Sequence, residues 1–115
     1  MYYFDGASGS RYIYGKFNLE NVLSLGWPVP YGNFILTKDS ADIVDIIYVG
    51  ESPDVWKTLT QTSIWPEARH SHGANTIYAR PGSDEPLVRH KEARDLIEQW
   101  SPPMNGPDTA GKDQE

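Results

Sequence analysis

The chain has 115 residues, of which 38% are hydrophobic, and this fits one compact globular domain. It contains no cysteine, which excludes disulfides, thiolate catalysis and cysteine-based zinc or iron–sulfur sites. Its formal net charge of -6 is the wrong sign for a protein whose main task is to grip a phosphate backbone, although a local basic patch can form in its middle and later parts.

The first elements predicted along the chain are a β-hairpin and a short helix. Two runs rich in Tyr and Phe, Tyr2 to Asp5 and Arg11 to Phe17, flank five small residues that favour a turn. A short helix can follow over 18–25, and Pro28 and Pro30 indicate an extended connector behind it. Residues 1–31 are therefore expected to hold the hairpin, this helix and the connector.

Three further runs predict the strands of a central sheet. Gly32 to Lys38 and Ile43 to Val49 are apolar in their centres, and the short link at 38–42 favours an antiparallel pair. A third strand, Thr76 to Ala79, follows a Gly-Ala-Asn turn. The expected fold is α/β (α+β), with a small central antiparallel sheet of about three strands flanked by helices and an added N-terminal β-hairpin.

Capping patterns predict two helices around the third strand. Ser52-Pro53-Asp54 is typical of a helix start, because Ser caps free amides and Pro fits the first turn. Residues 64–72 fit either a helical turn or a loop. A long helix is expected from about Glu85 to Trp100, with one apolar side formed by Leu87, Ala93, Leu96, Ile97 and Trp100. The polar stretch 106–115 is expected to be disordered.

The order of these motifs resembles the GIY-YIG nuclease family. Gly32-Asn33-Phe34 stands where the Gly-Ile-Tyr strand belongs, Tyr48-Val49-Gly50 matches the Tyr-Ile-Gly strand, and Leu96-Ile97 with Pro102 and Asn105 matches the C-terminal motif. The resemblance spans residues 32–105. It implies a nuclease-like fold and a site in which two tyrosines, an arginine, a glutamate that holds Mg²⁺ and an asparagine surround a phosphodiester.

Three positions of that implied site are altered. The first tyrosine corresponds to Phe34, the helix arginine to Thr58 and the metal-binding glutamate to Ala93. Lys57 is adjacent to the arginine position, and Glu92 precedes the glutamate position by one residue, which turns it by about 100° around a helix. Glu92 is therefore a metal ligand only if the helix is rotated or bulged, and is otherwise an exposed carboxylate.

Three candidate site residues remain. Tyr48 keeps the second tyrosine hydroxyl, and it serves either the site or the core. Arg89 lies one turn before Ala93, where it can meet a phosphate or pair with an acidic residue. Asn105 fits the terminal asparagine and is equally an ordinary turn residue. His70 and His72 would share one face of an extended segment, although a polar loop is the simpler interpretation.

We interpret the chain as a catalytically degenerate GIY-YIG-like domain that acts as a binding or interaction module. Its expected partners are DNA or RNA bound weakly around Tyr48, Arg89 and Asn105, or a protein or a second copy of the chain bound through the aromatic hairpin. The alternative is a Mg²⁺-dependent endonuclease that uses a displaced Glu92. No cofactor is expected in the first case. The sequence lacks a basic stretch followed by an apolar run, so a cytoplasmic protein without a membrane partner is expected.

Overall fold

A computed structural model of the chain describes residues 2–17 and 31–105. The elements of this part, in chain order, are β1 (Tyr2–Asp5), β2 (Arg11–Phe17), β3 (Gly32–Ser40), β4 (Ile43–Ser52), α1 (Val55–Gln61), α2 (Ile64–His72), β5 (Thr76–Pro81), α3 (Pro86–Trp100) and a 3₁₀ turn (Pro103–Asn105). The predicted short helix, the two prolines of the connector and the tail at 106–115 lie outside the described residues.

The strands form one curled antiparallel sheet of five strands in the order β1-β2-β5-β3-β4. The mixed α/β class is confirmed, whereas the prediction of about three strands is wrong. The hairpin joins the sheet because β2 pairs with β5, with Gly15 opposite Ala79 and Phe17 opposite Ile77. Without β2, this edge of β5 would leave its backbone N–H and C=O groups without strand partners.

Alternation along the strands divides the core between the two sheet faces. On one face, buried residues such as Phe34 and Leu36 pack with α1 and α2. On the other, Ile35 and Val49 pack with α3 and with side chains of the hairpin, including Tyr14. Aromatic residues of β1 and β2 thus complete the core beneath α3, so the hairpin is part of the packed domain.

The helix boundaries largely agree with the sequence signals. α1 begins two residues later than Ser52 suggests, because the Asp54 side chain accepts the capping hydrogen bond from the Lys57 amide. The segment left open between turn and loop is the helix α2, which ends at Gly73 with a left-handed φ of 76°. None of the described helices has the length and apolar content needed to cross a membrane.

The predicted apolar side of α3 is partly wrong. Leu87 is 79% exposed, whereas the buried residues of this helix are Arg89, Glu92, Ala93 and Leu96. Leu87 and Leu96 are nine residues apart, and at about 100° per residue this places them on opposite sides of the helix. The helix therefore directs two charged side chains at the sheet and exposes a leucine.

Candidate functional site

The two strands that carry the family resemblance lie side by side. Phe34 of β3 pairs with Gly50 of β4, and the rings of Phe34 and Tyr48 are 5.9 Å apart between centroids. A Cβ atom at Gly50 would lie 2.6 Å from Phe34 Cζ and 2.7 Å from Tyr48 Cε2. Glycine is therefore needed at position 50 so that both rings can pack across it.

The residues at the three altered positions have structural contacts of their own. Phe34 is completely buried, and Ala93 is buried in the core beneath α3. Thr58 Oγ1 lies 2.7 Å from Ser52 Oγ, in a hydrogen bond that ties α1 to the end of β4. These three side chains therefore take part in the packing and hydrogen bonding of the fold.

Arg89 is a buried side chain with a paired charge. Its guanidinium is 4% exposed, and it donates hydrogen bonds to Glu51 Oε1 at 2.9 Å and to the Ser83 carbonyl at 2.8 Å. The backbone carbonyl of Arg89 accepts a bond from the Asn33 side chain. Arg89 therefore joins α3 to β4, to the loop before α3 and to β3.

Asn105 uses its side-chain amide on the backbone of β4. Its Oδ1 accepts from the Val49 amide at 2.7 Å, and its Nδ2 donates to the Val49 carbonyl at 3.1 Å. Because β4 is the last strand of the sheet, these are outward backbone groups that no neighbouring strand satisfies. Asn105 protects this edge and anchors the 3₁₀ turn.

Glu92 is 8% exposed, so the expectation of an exposed carboxylate is wrong. The Tyr14 hydroxyl donates to Glu92 Oε2 at 2.5 Å, and Arg80 Nε lies 3.6 Å from Glu92 Oε1. Burial raises the pKa of Glu92 above its ordinary value, and the bond from Tyr14 and the charge of Arg80 only partly oppose this shift. Burial, together with the neighbouring Glu92 charge, also raises the pKa of Tyr14 well above its usual range, so the phenol remains a donor.

The structure does not gather the candidate residues into one site. Arg89 and Glu92 lie on α3 and make their contacts beneath that helix. Tyr48 is half-buried against the core on the α1 and α2 face, and Asn105 bonds to the neighbouring backbone of β4. Asn105 bonds to Val49, the residue that follows Tyr48 in β4, whereas the Glu92 carboxylate faces Tyr14 and Arg80.

The surroundings of Glu92 do not fit Mg²⁺. Mg²⁺ needs oxygen ligands in octahedral geometry, whereas one carboxylate oxygen here accepts from Tyr14 and the other faces a guanidinium. Within residues 2–17 and 31–105, no cluster of three His, Asp or Glu side chains is arranged to hold a metal ion.

The remaining candidates from the sequence lie apart from these residues. His70 and His72 belong to the last turn of α2, where a two-residue spacing turns the side chains by about 200° and separates them. The common face that an extended segment would give these histidines and the simpler interpretation as a polar loop are therefore both wrong, because the segment is helical. Lys57 is exposed on α1, and its backbone amide takes part in the helix cap.

Two groups of polar contacts were not anticipated from the sequence. One is the contact of Tyr14 and Arg80 with Glu92. The other is Asp95, which accepts bonds from the Ser8 amide, the Ser8 hydroxyl and the Tyr12 hydroxyl. The alternation of Tyr12 and Tyr14 on β2 predicts that both point to one face, but nothing local to either tyrosine shows that α3 packs against that face.

Comparisons with protein-family models, curated proteins and solved structures find no match to this chain.

Proposed function

We propose that this chain is a catalytically degenerate GIY-YIG-like domain that acts as a binding module and cleaves no phosphodiester. The observation that carries the proposal is the buried, doubly bonded guanidinium of Arg89. A side chain that must stabilise a transition state has to reach the substrate, and moving Arg89 toward one would break its ion pair with Glu51.

The other candidates support the same conclusion. Glu92 bonds to Tyr14, Asn105 bonds to the edge of β4, and Ala93 occupies the core where a carboxylate would have to be. Each group is explained by folding alone. The proposal therefore takes from the resemblance the order of strands and helices alone, and the reaction of the family does not follow from it.

The surface best suited to a macromolecular partner lies on the hairpin. Tyr3 and Ile13 are cross-strand neighbours and are 58% and 44% exposed. The Arg11 guanidinium lies 5.6 Å from the centre of the Tyr3 ring. Exposed apolar and aromatic residues beside an arginine are typical of protein interfaces. A protein or a second copy of the chain is therefore the partner proposed here, ahead of weakly bound nucleic acid.

The proposal is tested by incubating the purified chain with single-stranded, duplex and branched DNA and with RNA, in Mg²⁺ and in Mn²⁺. We expect no cleavage above that of a buffer control. Glu92→Gln, which keeps the shape of the side chain, serves as the test variant, and Glu98→Gln on the exposed side of α3 is its matched control. Cleavage by the parent chain that Glu92→Gln removes and Glu98→Gln retains, with both variants folded by circular dichroism, would falsify the proposal.

The same samples test the partner. Fluorescence anisotropy with labelled DNA and RNA at low and high salt measures nucleic-acid affinity, and light scattering measures the oligomeric state. Self-association that is lost in Tyr3→Ser and in Ile13→Ser supports the hairpin surface. Salt-sensitive nucleic-acid binding that these substitutions leave unchanged would contradict it.

A further inference from the structure

A cleft lies beside α3, on the side that faces the turn between β1 and β2. It encloses about 900 Å³. Tyr12 and Arg80 contribute to its lining from the sheet, Ser8 from the turn, and Leu87, Lys91 and Arg94 from the helix. Of the candidate site residues, Glu92 contributes to this lining, whereas Tyr48, Arg89 and Asn105 do not.

The hydrogen-bonding capacity of two lining carboxylates is largely used within the fold. Asp95 accepts from the Ser8 amide at 2.8 Å and from the Ser8 and Tyr12 hydroxyls at 2.7 Å each. Glu92 accepts from Tyr14 and faces Arg80. A cationic ligand would have to displace these donors, and of the acidic side chains around the cleft only Glu98 has no such contact among the described residues.

The cationic side chains of the cleft have hydrogen-bond donors that the fold does not use. The Arg80 guanidinium lies 5.8 Å from the centre of the Tyr12 ring, and its side chain is 32% exposed. Its one ion pair within the described chain runs from Nε to Glu92 at 3.6 Å, which leaves the terminal nitrogens for a second acceptor. Lys91 and Arg94 line the same cleft, and neither forms an ion pair with another described residue.

The cleft also has an apolar wall. Leu87 and Val88 contribute to its lining from the first turn of α3, and they are 79% and 50% exposed. A ring-stacked guanidinium presents the planar fork that matches a carboxylate or phosphate in two parallel bonds. A pocket that combines one such anchor with apolar side chains is the usual form of a small-molecule site.

We propose that this cleft binds a small organic anion, whose carboxylate or phosphate pairs with Arg80 and whose apolar part lies against Leu87 and Val88. Lys91 and Arg94 at the rim attract the ligand and add to its affinity. The inference rests on the proposed function, since it names a ligand class for the binding module. It is tested separately, because a chain that binds no anion in this cleft would still be expected to cleave no nucleic acid.

The test uses the whole chain labelled with ¹⁵N and titrated with matched probes, while amide shifts are followed by NMR. Phenylacetate and phenyl phosphate carry both an apolar ring and an anion, inorganic phosphate lacks the ring, and benzylamine reverses the charge. We expect both ring-bearing anions to shift the amides of Tyr12, Arg80 and Val88, inorganic phosphate to bind more weakly, and benzylamine to leave them unchanged. Preference for one of the two ring-bearing anions identifies the ligand as a carboxylate or as a phosphate ester.

Substitutions test which side chains bind the anionic group of the ligand and which contact its ring. Arg80→Gln should weaken both ring-bearing anions about tenfold or more. Because this change also removes the partner of Glu92, the exposed pair Lys91→Gln/Arg94→Gln provides a second test that spares the fold and should weaken every anion. Leu87→Ser should weaken the ring-bearing anions about threefold and leave inorganic phosphate unchanged, since the ring loses part of its apolar contact.

The matched control is Glu98→Gln, which removes a negative charge from the lining and should strengthen anion binding slightly. The proposal is overturned if benzylamine binds as well as phenylacetate, or if neither ring-bearing anion shifts the cleft amides. It is also overturned if Leu87→Ser weakens inorganic phosphate as much as phenylacetate. Cleavage of nucleic acid, by contrast, would overturn only the proposed function.

Discussion

Replacement of Arg89 by methionine separates a structural role from a catalytic one. Methionine keeps most of the length of the side chain and removes both donors, leaving Glu51 and the Ser83 carbonyl without the guanidinium. A hydrogen bond to a charged group contributes about 1.5–3 kcal/mol, and removing one partner of a buried ion pair costs about 3–5 kcal/mol. Because Arg89 is 4% exposed and Glu51 19%, we expect the loss to lie in this range of about 3–5 kcal/mol.

Urea unfolding followed by tryptophan fluorescence measures this loss. With a dependence of about 2 kcal/mol per molar urea, a loss of about 4 kcal/mol lowers the midpoint by about 2 M. His90→Ala is the matched control, because His90 also contacts Glu51 but its side chain is 53% exposed, and it should cost about 1 kcal/mol or less. Arg89→Met/Glu51→Leu should be more stable than Arg89→Met, since it leaves no largely buried carboxylate without its guanidinium.

The opposite results would refute the reasoning. If Arg89→Met lowers the free energy of unfolding by less than about 1 kcal/mol, the guanidinium is not needed for folding. A double variant less stable than Arg89→Met would show that Glu51 is stabilised by something other than this pair. In the first case Arg89 would again be available for a role at a phosphate, and the nuclease alternative would regain its cation.

Three further predictions concern packing and protonation. Gly50→Ala should cost about 1–3 kcal/mol by forcing apart Phe34 and Tyr48, and Phe34→Leu in the same chain should recover part of that loss in urea unfolding. Ala93→Glu should cost more than about 3 kcal/mol because it buries a carboxylate, whereas Arg94→Glu, one residue on and exposed, should stay within about 0.5 kcal/mol; equal losses would place position 93 outside the core. The folded state raises the pKa of Glu92 above its ordinary value of 4.5, so folding favours the protonated carboxyl group. The stability that this group contributes is fully present below pH 4.5 and is lost as the pH rises through the folded-state pKa. Relative to Glu92→Gln, the parent chain should therefore lose stability as the pH rises from about 4, and a constant difference from pH 4 to 8 would contradict this assignment.

Local patterns in the sequence predict the features that depend on neighbouring residues, namely the positions of the strands and the ends of the helices. The strand patterns around β3, β4 and β5 have apolar centres, and the end of α3 before Pro102 follows from the restriction that proline imposes. The Ser52-Pro53-Asp54 pattern predicts the start of α1, although the cap is Asp54 and not Ser52. These features depend on neighbours a few residues away, which is why a single sequence contains them.

The pairings that the sequence did not predict join distant parts of the chain. Tyr14 and Glu92 are separated by 78 positions, and β2 meets β5 across more than half of the chain. A glutamate on a helix is ordinarily exposed, and only the hydroxyl of Tyr14 and the charge of Arg80 make its burial tolerable. No periodicity in α3 indicates that such partners exist, so the sequence favours an exposed carboxylate over a metal ligand at Glu92 and predicts the hairpin as an addition to the core.

The wrong predictions of an exposed Glu92 and a buried Leu87 have a single cause, which is the rotation of α3 about its axis. The helix is rotated so that Arg89 and Glu92 face the sheet, which necessarily directs Leu87 outward into the cleft. This reverses the usual distribution, in which charged residues face water and leucine faces the core. Substitution of the inward charges should consequently change the free energy of unfolding, whereas substitution of Leu87, 79% exposed, should change ligand binding and leave unfolding nearly unaltered. If Leu87→Ser instead destabilised the fold by more than about 1 kcal/mol, the helix would be rotated differently from this structure, and the case for the anion cleft would fall with it.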